Sequence, residues 1–151
     1  GNVVEYPINA IKYLSAISKK VNEYDGGLLI FDYGYIKKQN KNTLQAIKNH
    51  KFIDPFKQPG NSDITSHINF DLFIKNLNKN KLEVNKVVTQ NEFLQKMGIK
   101  QRADMLSNKM SFKEKISLFY QLKRMLSYKE MGQLFKVLFA QKKGKKFSLG
   151  F

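Results

Sequence analysis

Apolar residues recur at three- and four-residue spacing from Pro7 to Val21. Ile8, Ile11, Leu14, Ile17 and Val21 share one face, which predicts an amphipathic helix with proline near its first turn. Asp25-Gly26-Gly27 breaks the pattern. Leu28-Leu29-Ile30-Phe31 then forms a continuous apolar run ending in Asp32, the signature of a strand covered on both faces, as in a parallel sheet. Helix, glycine turn and buried strand read as the second half of a βαβ unit whose first strand is not in the chain. After Gly34 the chain is polar and turn-rich, with a short helical possibility at Thr43 to Asn49. Strict alternation follows in the stretch Pro59 to Phe70. Asp63, Thr65, His67 and Asn69 fall on one face of an extended segment, and Ile64, Ser66, Ile68 and Phe70 on the other.

A helical pattern, FDLFIKNLNKNK, comes next, and Leu82 to Thr89 reads as another strand. Thr89-x-x-Glu92 is a capping box that opens a short helix through Phe93, Leu94 and Met97 and stops at Gly98. From Ser107 onward the pattern reads as helix only. Ser111-x-x-Glu114 and Ser127-x-x-Glu130 are two further capping boxes. The first precedes an apolar stripe of Phe112, Ile116, Phe119, Leu122 and Leu126, and the second precedes Met131, Leu134, Phe135 and Leu138. Such stripes are read as core packing. The expected fold is therefore α/β, with about three strands, flanking helices and an all-helical C-terminal segment. Residues 1–106 form the α/β part, and residues 107–151 pack on it as a change of layer.

Composition narrows the function. A chain of 151 residues with 42% hydrophobic content, 12 Phe and 7 Tyr holds enough apolar surface for one core. Its longest apolar runs fall short of the roughly 20 residues of a membrane span, and a soluble, cytoplasmic protein is the plain expectation. The absence of cysteine excludes disulfides, thiol catalysis and thiolate metal sites, and two histidines, His50 and His67, make a structural zinc site a poor reading. The formal charge of +15 suits nucleic acid electrostatically. However, only Arg102 and Arg124 are arginine, the side chain that base and phosphate recognition favour, and the charge is spread along the chain. No specific nucleic-acid partner is expected. The cluster Lys142, Lys143, Lys145 and Lys146 reads as a solvated, frayed tail.

No two of the nine glycines stand at G-x-G spacing, which rules out a dinucleotide fingerprint or a Walker loop within these residues. Asp32 is a candidate because ligands of open α/β sheets bind beyond the carboxyl ends of strands; the alternative is that it caps the turn at Tyr33-Gly34. Asp63, Thr65 and His67 form either the wall of a pocket or a solvated strand face. His50 is a weaker candidate for the same pocket, since a surface loop histidine needs no function.

Taken in order, GGLLIFDYGY, NTLQAIKNHKFIDPFKQPGNSDITSHINF, VVTQNEFLQKMGIKQRADML and KEMGQLFKVLF resemble the C-terminal part of the MidA-like S-adenosylmethionine-dependent methyltransferases. The mitochondrial member of that family is an assembly factor for respiratory complex I. Asn69 departs from the aspartate usual in the family's V-D-F triplet. The resemblance implies a Rossmann-like sheet and a protein acceptor bearing a guanidinium, for which carboxylates are natural partners. It makes Asp63, Thr65 and His67 a candidate wall of the acceptor pocket, with Asp32 and Tyr33 at the neighbouring strand end. The family's glycine-rich cofactor loop lies upstream of the part that matches. The chain is therefore expected to be a C-terminal portion that binds no S-adenosylmethionine alone, with pairing of two copies through an open sheet edge as a possible repair. A non-catalytic interaction module and a lysine-rich nucleic-acid binder are the alternatives.

Overall fold

A computed structural model describes residues 4–37, 42–57, 59–145 and 147–151. Helix α1 spans Ile8–Glu23, preceded by Pro7 and burying Leu14, Ser18 and Val21 on one side. Asp25, with φ of 55°, turns the chain into strand β1, Gly27–Tyr35. Strands β2, Gln45–Lys48, and β3, Lys51–Ile53, form a hairpin. Its two-residue loop, Asn49 and His50, has φ of 50° and 61°, the geometry whose twist matches flanking strands. The short helix expected at Thr43 to Asn49 is therefore a strand and a turn. Pairing of β2 on both edges, with Ala46 wholly buried, overrides the local preference.

The alternating stretch is divided between two sheets. Strand β4, Asp63–Thr65, pairs with β2 in a three-stranded sheet of order β3-β2-β4, and β5, Ile68–Asn69, runs parallel to β1 in the main sheet. The chain changes sheet at Ser66 and His67, so period-two alternation does not extend across the segment, and Ile64 is half exposed. Helix α2, Phe70–Lys79, begins directly afterwards, its first turn capped by Asn69 Oδ1 accepting from Leu72 N at 3.2 Å. Asparagine and aspartate cap about equally well, so the departure from the family triplet leaves this role intact.

The expected strand Leu82 to Thr89 is two strands, β6, Leu82–Val84, and β7, Val88–Thr89. Helices α3, Gln90–Lys96, and α4, Ile99–Ser107, follow; Gly98 between them has φ of 79°. The sequence reading did not identify α4. Helix α5, Phe112–Leu126, and α6, Met131–Leu134, lead into the last strand, β8, Phe135–Lys142. The capping boxes at Thr89 and Ser111 are both formed. The third is not: Ser127 ends α5, and its hydroxyl accepts from Lys129 N at 3.2 Å.

Strand β8 overturns the all-helical reading of the C-terminal segment. It lies antiparallel between β1 and β6 in the order β5-β1-β8-β6 and pairs with β7 as well. A central strand buries successive residues, here Val137, Leu138, Ala140 and Gln141, and such a run carries the same apolar density as a buried helix. The α/β class stands, with eight strands among the described residues in place of about three.

Leu28 and Ile30 of β1 and Leu138 and Ala140 of β8 pack under α1 and α2, where Phe70, Leu77 and Leu82 are wholly buried. Each such residue removes apolar area worth about 1.5–3 kcal/mol. On the opposite face Val88, Phe93 and Val137 form a smaller cluster closed by Phe151, whose ring lies 5.3 Å from that of Phe93. Leu29 and Phe31 remain 48% and 41% exposed there, so β1 is not covered equally on both faces. The lysine cluster is not a free tail. Lys142 and Lys145 pair with Asp25 at 2.7 and 3.2 Å, and together they hold its carboxyl below the usual range; Lys146 lies outside the described residues.

Candidate functional site

The carboxyl end of β1 carries the sequence Asp32-Tyr33-Gly34-Tyr35. A Cβ on Gly34 would stand 2.1 Å from the carbonyl oxygen of Ile68, so only glycine lets β5 approach β1 this closely. That approach sets the His67 ring against Tyr33, edge to face, with centroids 5.5 Å apart. The other side of Tyr33 meets Phe135 at 5.6 Å.

Just beyond this strand end lies a cavity of about 470 Å³, whose walls include Glu5, Tyr6, Tyr35, Asn42, His67, Asn69 and Phe73. Its volume falls within the roughly 300–1,000 Å³ of small-ligand sites, and its position is the usual one for ligands of open α/β sheets. Three segments are tied together at its rim. The Glu5 carboxylate accepts from Thr43 N at 2.8 Å and Thr43 Oγ1 at 2.6 Å, and Thr43 Oγ1 accepts from His67 N at 2.9 Å. Burial, with a contribution from the Glu5 charge, pushes the Tyr35 phenol above its ordinary value, so it stays a neutral hydroxyl across the physiological range.

Of the residues singled out from sequence, His67 lines this cavity and Tyr33 packs against it. Asp32 does not line it: its Oδ1 accepts from the backbone N of Tyr33 at 2.8 Å, and because β1 continues to Tyr35 there is no turn at Tyr33-Gly34 for it to cap. Its cross-strand neighbour is Lys136, whose ammonium donates to the carbonyls of Gln133 and Leu134 and whose pKa is lowered by burial. Asp63 is exposed on β4, paired in register with Ile47. Thr65 Oγ1 is buried without a hydrogen-bond partner among the described residues, and Thr65 is not among the described residues that line the cavity. His50 sits exposed at the tip of the β2–β3 hairpin. Glu5, Thr43 and Tyr35 were not found from sequence. Tyr35 was within reach, two positions after Tyr33 on the same strand, but the bond between Glu5 and Thr43 spans 38 residues and leaves no local pattern. Among the described residues no three His, Asp or Glu side chains gather as a metal site would require.

A mixed sheet with helices packed on it, and a cavity at a strand's carboxyl end lined by aromatic side chains and the Glu5 carboxylate, define an α/β protein with a ligand-sized site. Residues 1–89 match the family described as "Putative S-adenosyl-L-methionine-dependent methyltransferase", and the chain belongs to that family. Over 134 residues it is 30% identical to the mitochondrial protein arginine methyltransferase NDUFAF7 of Xenopus tropicalis, a match that takes in 88% of this chain and 31% of that protein. Two crystal structures from Burkholderia thailandensis share the fold, each at 22% identity and over 93% of this chain. One, of an uncharacterized protein, has a TM-score of 0.81 and is covered to 38%; the other, bound to S-adenosyl-homocysteine, has a TM-score of 0.77 and is covered to 37%. The chain thus spans about a third of the length of the relatives it matches. The relatives from Caenorhabditis elegans, Drosophila melanogaster and Danio rerio are also mitochondrial proteins by name, which overturns the expectation of a cytoplasmic protein.

Among the described glycines, Gly34 and Gly132 are met by the chain's own carbonyls, those of Ile68 and Leu126.

Proposed function

We propose that this chain supplies the acceptor side of a mitochondrial S-adenosylmethionine-dependent protein arginine methyltransferase. The observation that carries the reading is the cavity at the carboxyl end of β1, where Tyr33, Gly34 and His67 converge with Glu5 and Tyr35. Family membership and the names of the relatives support the reaction, and the share of those relatives that the chain spans, 31% of the Xenopus tropicalis protein, supports a division of labour. These residues bind and orient the acceptor and keep water away, and cofactor binding depends on residues other than those described. The 151 residues alone do not transfer a methyl group. The acceptor is a protein, and the resemblance to the complex I assembly factor favours a subunit of that complex.

Alignment supplies much of the barrier lowering in an in-line displacement, and misplacement by about 1 Å can cost on the order of 10²-fold. In the methyltransferase that contains this chain, His67→Ala is expected to lower methylarginine formation by on the order of 10²-fold, read by mass spectrometry, with affinity for S-adenosyl-homocysteine unchanged. Full activity of that variant, or equal loss of cofactor affinity, would contradict the reading.

A further inference from the structure

We propose that the cavity is a guanidinium pocket, with Glu5 as the anchoring carboxylate and Tyr35, Tyr6 and Phe73 as its aromatic walls. The inference rests on the methyltransferase reading and names how its acceptor is held.

Three observations carry it. Glu5 is the only carboxylate among the described residues that line the cavity, so a cation entering there meets one anionic partner among them. An ionised carboxylate offers about four lone-pair sites. Thr43 occupies one on each oxygen, which leaves one on each for the parallel pair of N–H donors that a guanidinium presents. The remaining wall is aromatic on several sides, and a planar, weakly hydrated cation stacks on such rings better than a compact ammonium does. The rise in the Tyr35 pKa agrees with a half-buried phenol beside the Glu5 charge.

Thr43 has a separate part in this arrangement. By donating twice to Glu5 it fixes the plane of the carboxylate, and by accepting from His67 N it sets the distance between the carboxylate and the imidazole side of the cavity. It is a positioning residue for the anchor.

The test is a calorimetric titration of the 151-residue chain with N-acetyl-arginine amide, N-acetyl-citrulline amide and N-acetyl-lysine amide. Citrulline keeps the shape of arginine without its charge, and lysine keeps the charge without the planar fork. Saturable binding of the arginine compound is expected, with at least tenfold weaker binding of the other two. Glu5→Gln retains an oxygen to accept from Thr43 but loses the charge and is expected to weaken arginine binding at least tenfold. Tyr35→Leu, which leaves the carboxylate in place, is expected to weaken it several-fold and serves if the first variant is misfolded by circular dichroism. Equal affinity for arginine and citrulline, equal affinity for arginine and lysine, or no loss in folded variants would overturn the pocket. Because the titration needs no methyl donor, its result is separable from methyl transfer: arginine bound as described by a protein whose complete form methylates nothing would leave the pocket standing and remove the function.

Discussion

Helices α2 and α5 look alike as sequences and differ completely as surfaces. Both are amphipathic, both begin with a side-chain cap, and both carry phenylalanine and leucine at helical spacing. Helix α2 buries Phe70, Phe73 and Leu77 between the sheet and α1, whereas α5 buries no residue, with Phe112 80% and Phe119 63% exposed. The reading of the α5 stripe as core is therefore wrong for this structure. Periodicity reports which face is apolar and says nothing of how much neighbouring mass exists to cover it. The α5 face includes a hollow of about 390 Å³ lined by Lys100, Phe119, Leu122 and Leu126, and its apolar surface competes with the β1 cavity as a place for a partner to land.

The sharpest way to separate the two regions is truncation. Leu77→Ala in α2 is expected to cost about 2–5 kcal/mol in urea unfolding, the range for a leucine deleted from a close-packed core. Removal of the α5 cap by Ser111→Ala is expected to cost about 1 kcal/mol, because Ser111 Oγ accepts from Glu114 N and the Glu114 carboxylate accepts in return from Ser111 N and Oγ. Phe112→Ser, on the exposed stripe, is expected to stay within about 0.5 kcal/mol of the parent. A cost as large as that of Leu77→Ala would mean that α5 is packed against something in solution. The smallest effect is in pH. Hydrogen bonds from Ser111 lower the Glu114 pKa and those from Thr89 lower that of Glu92. A carboxyl depressed in the folded state stabilises above its unfolded value, near 4.3, and that contribution is lost as pH falls through the folded value. Protection against amide exchange at the first turns of α3 and α5, taken relative to the intrinsic rate at each pH, is therefore expected to fall below about pH 4.3. Turns whose protection is indifferent to acid would show that the capping boxes add nothing.

What could be read from the chain was what local chemistry decides. Helices α1 and α2 and the caps at Thr89 and Ser111 follow from spacing and from side chains within three residues of the backbone they serve. Strand β8 could not be read, since Phe135 to Lys142 owes its state to strands 50 to more than 100 residues earlier in sequence. Strand β2 was hidden differently: its partners β3 and β4 lie close in sequence, and pairing on both edges overrides the helical preference of Thr43 to Asn49. Alternation led to His67, which lines the cavity, and the strand-end argument led to the carboxyl end of β1 beside that cavity while choosing Asp32, which turns back to its own backbone. Glu5 and Thr43 became visible only as a contact.

The most direct test of the β1 cavity as the acceptor site is photo-crosslinking of an arginine peptide bearing a diazirine next to the arginine, with labelled residues mapped by mass spectrometry. The account predicts labels around Glu5, Tyr6, Tyr35 and His67 that fall away in the presence of excess N-acetyl-arginine amide. Labels confined to Lys100, Phe119 and Leu122, or labelling unchanged by the competitor, would contradict it and move the docking site to the exposed face of α5.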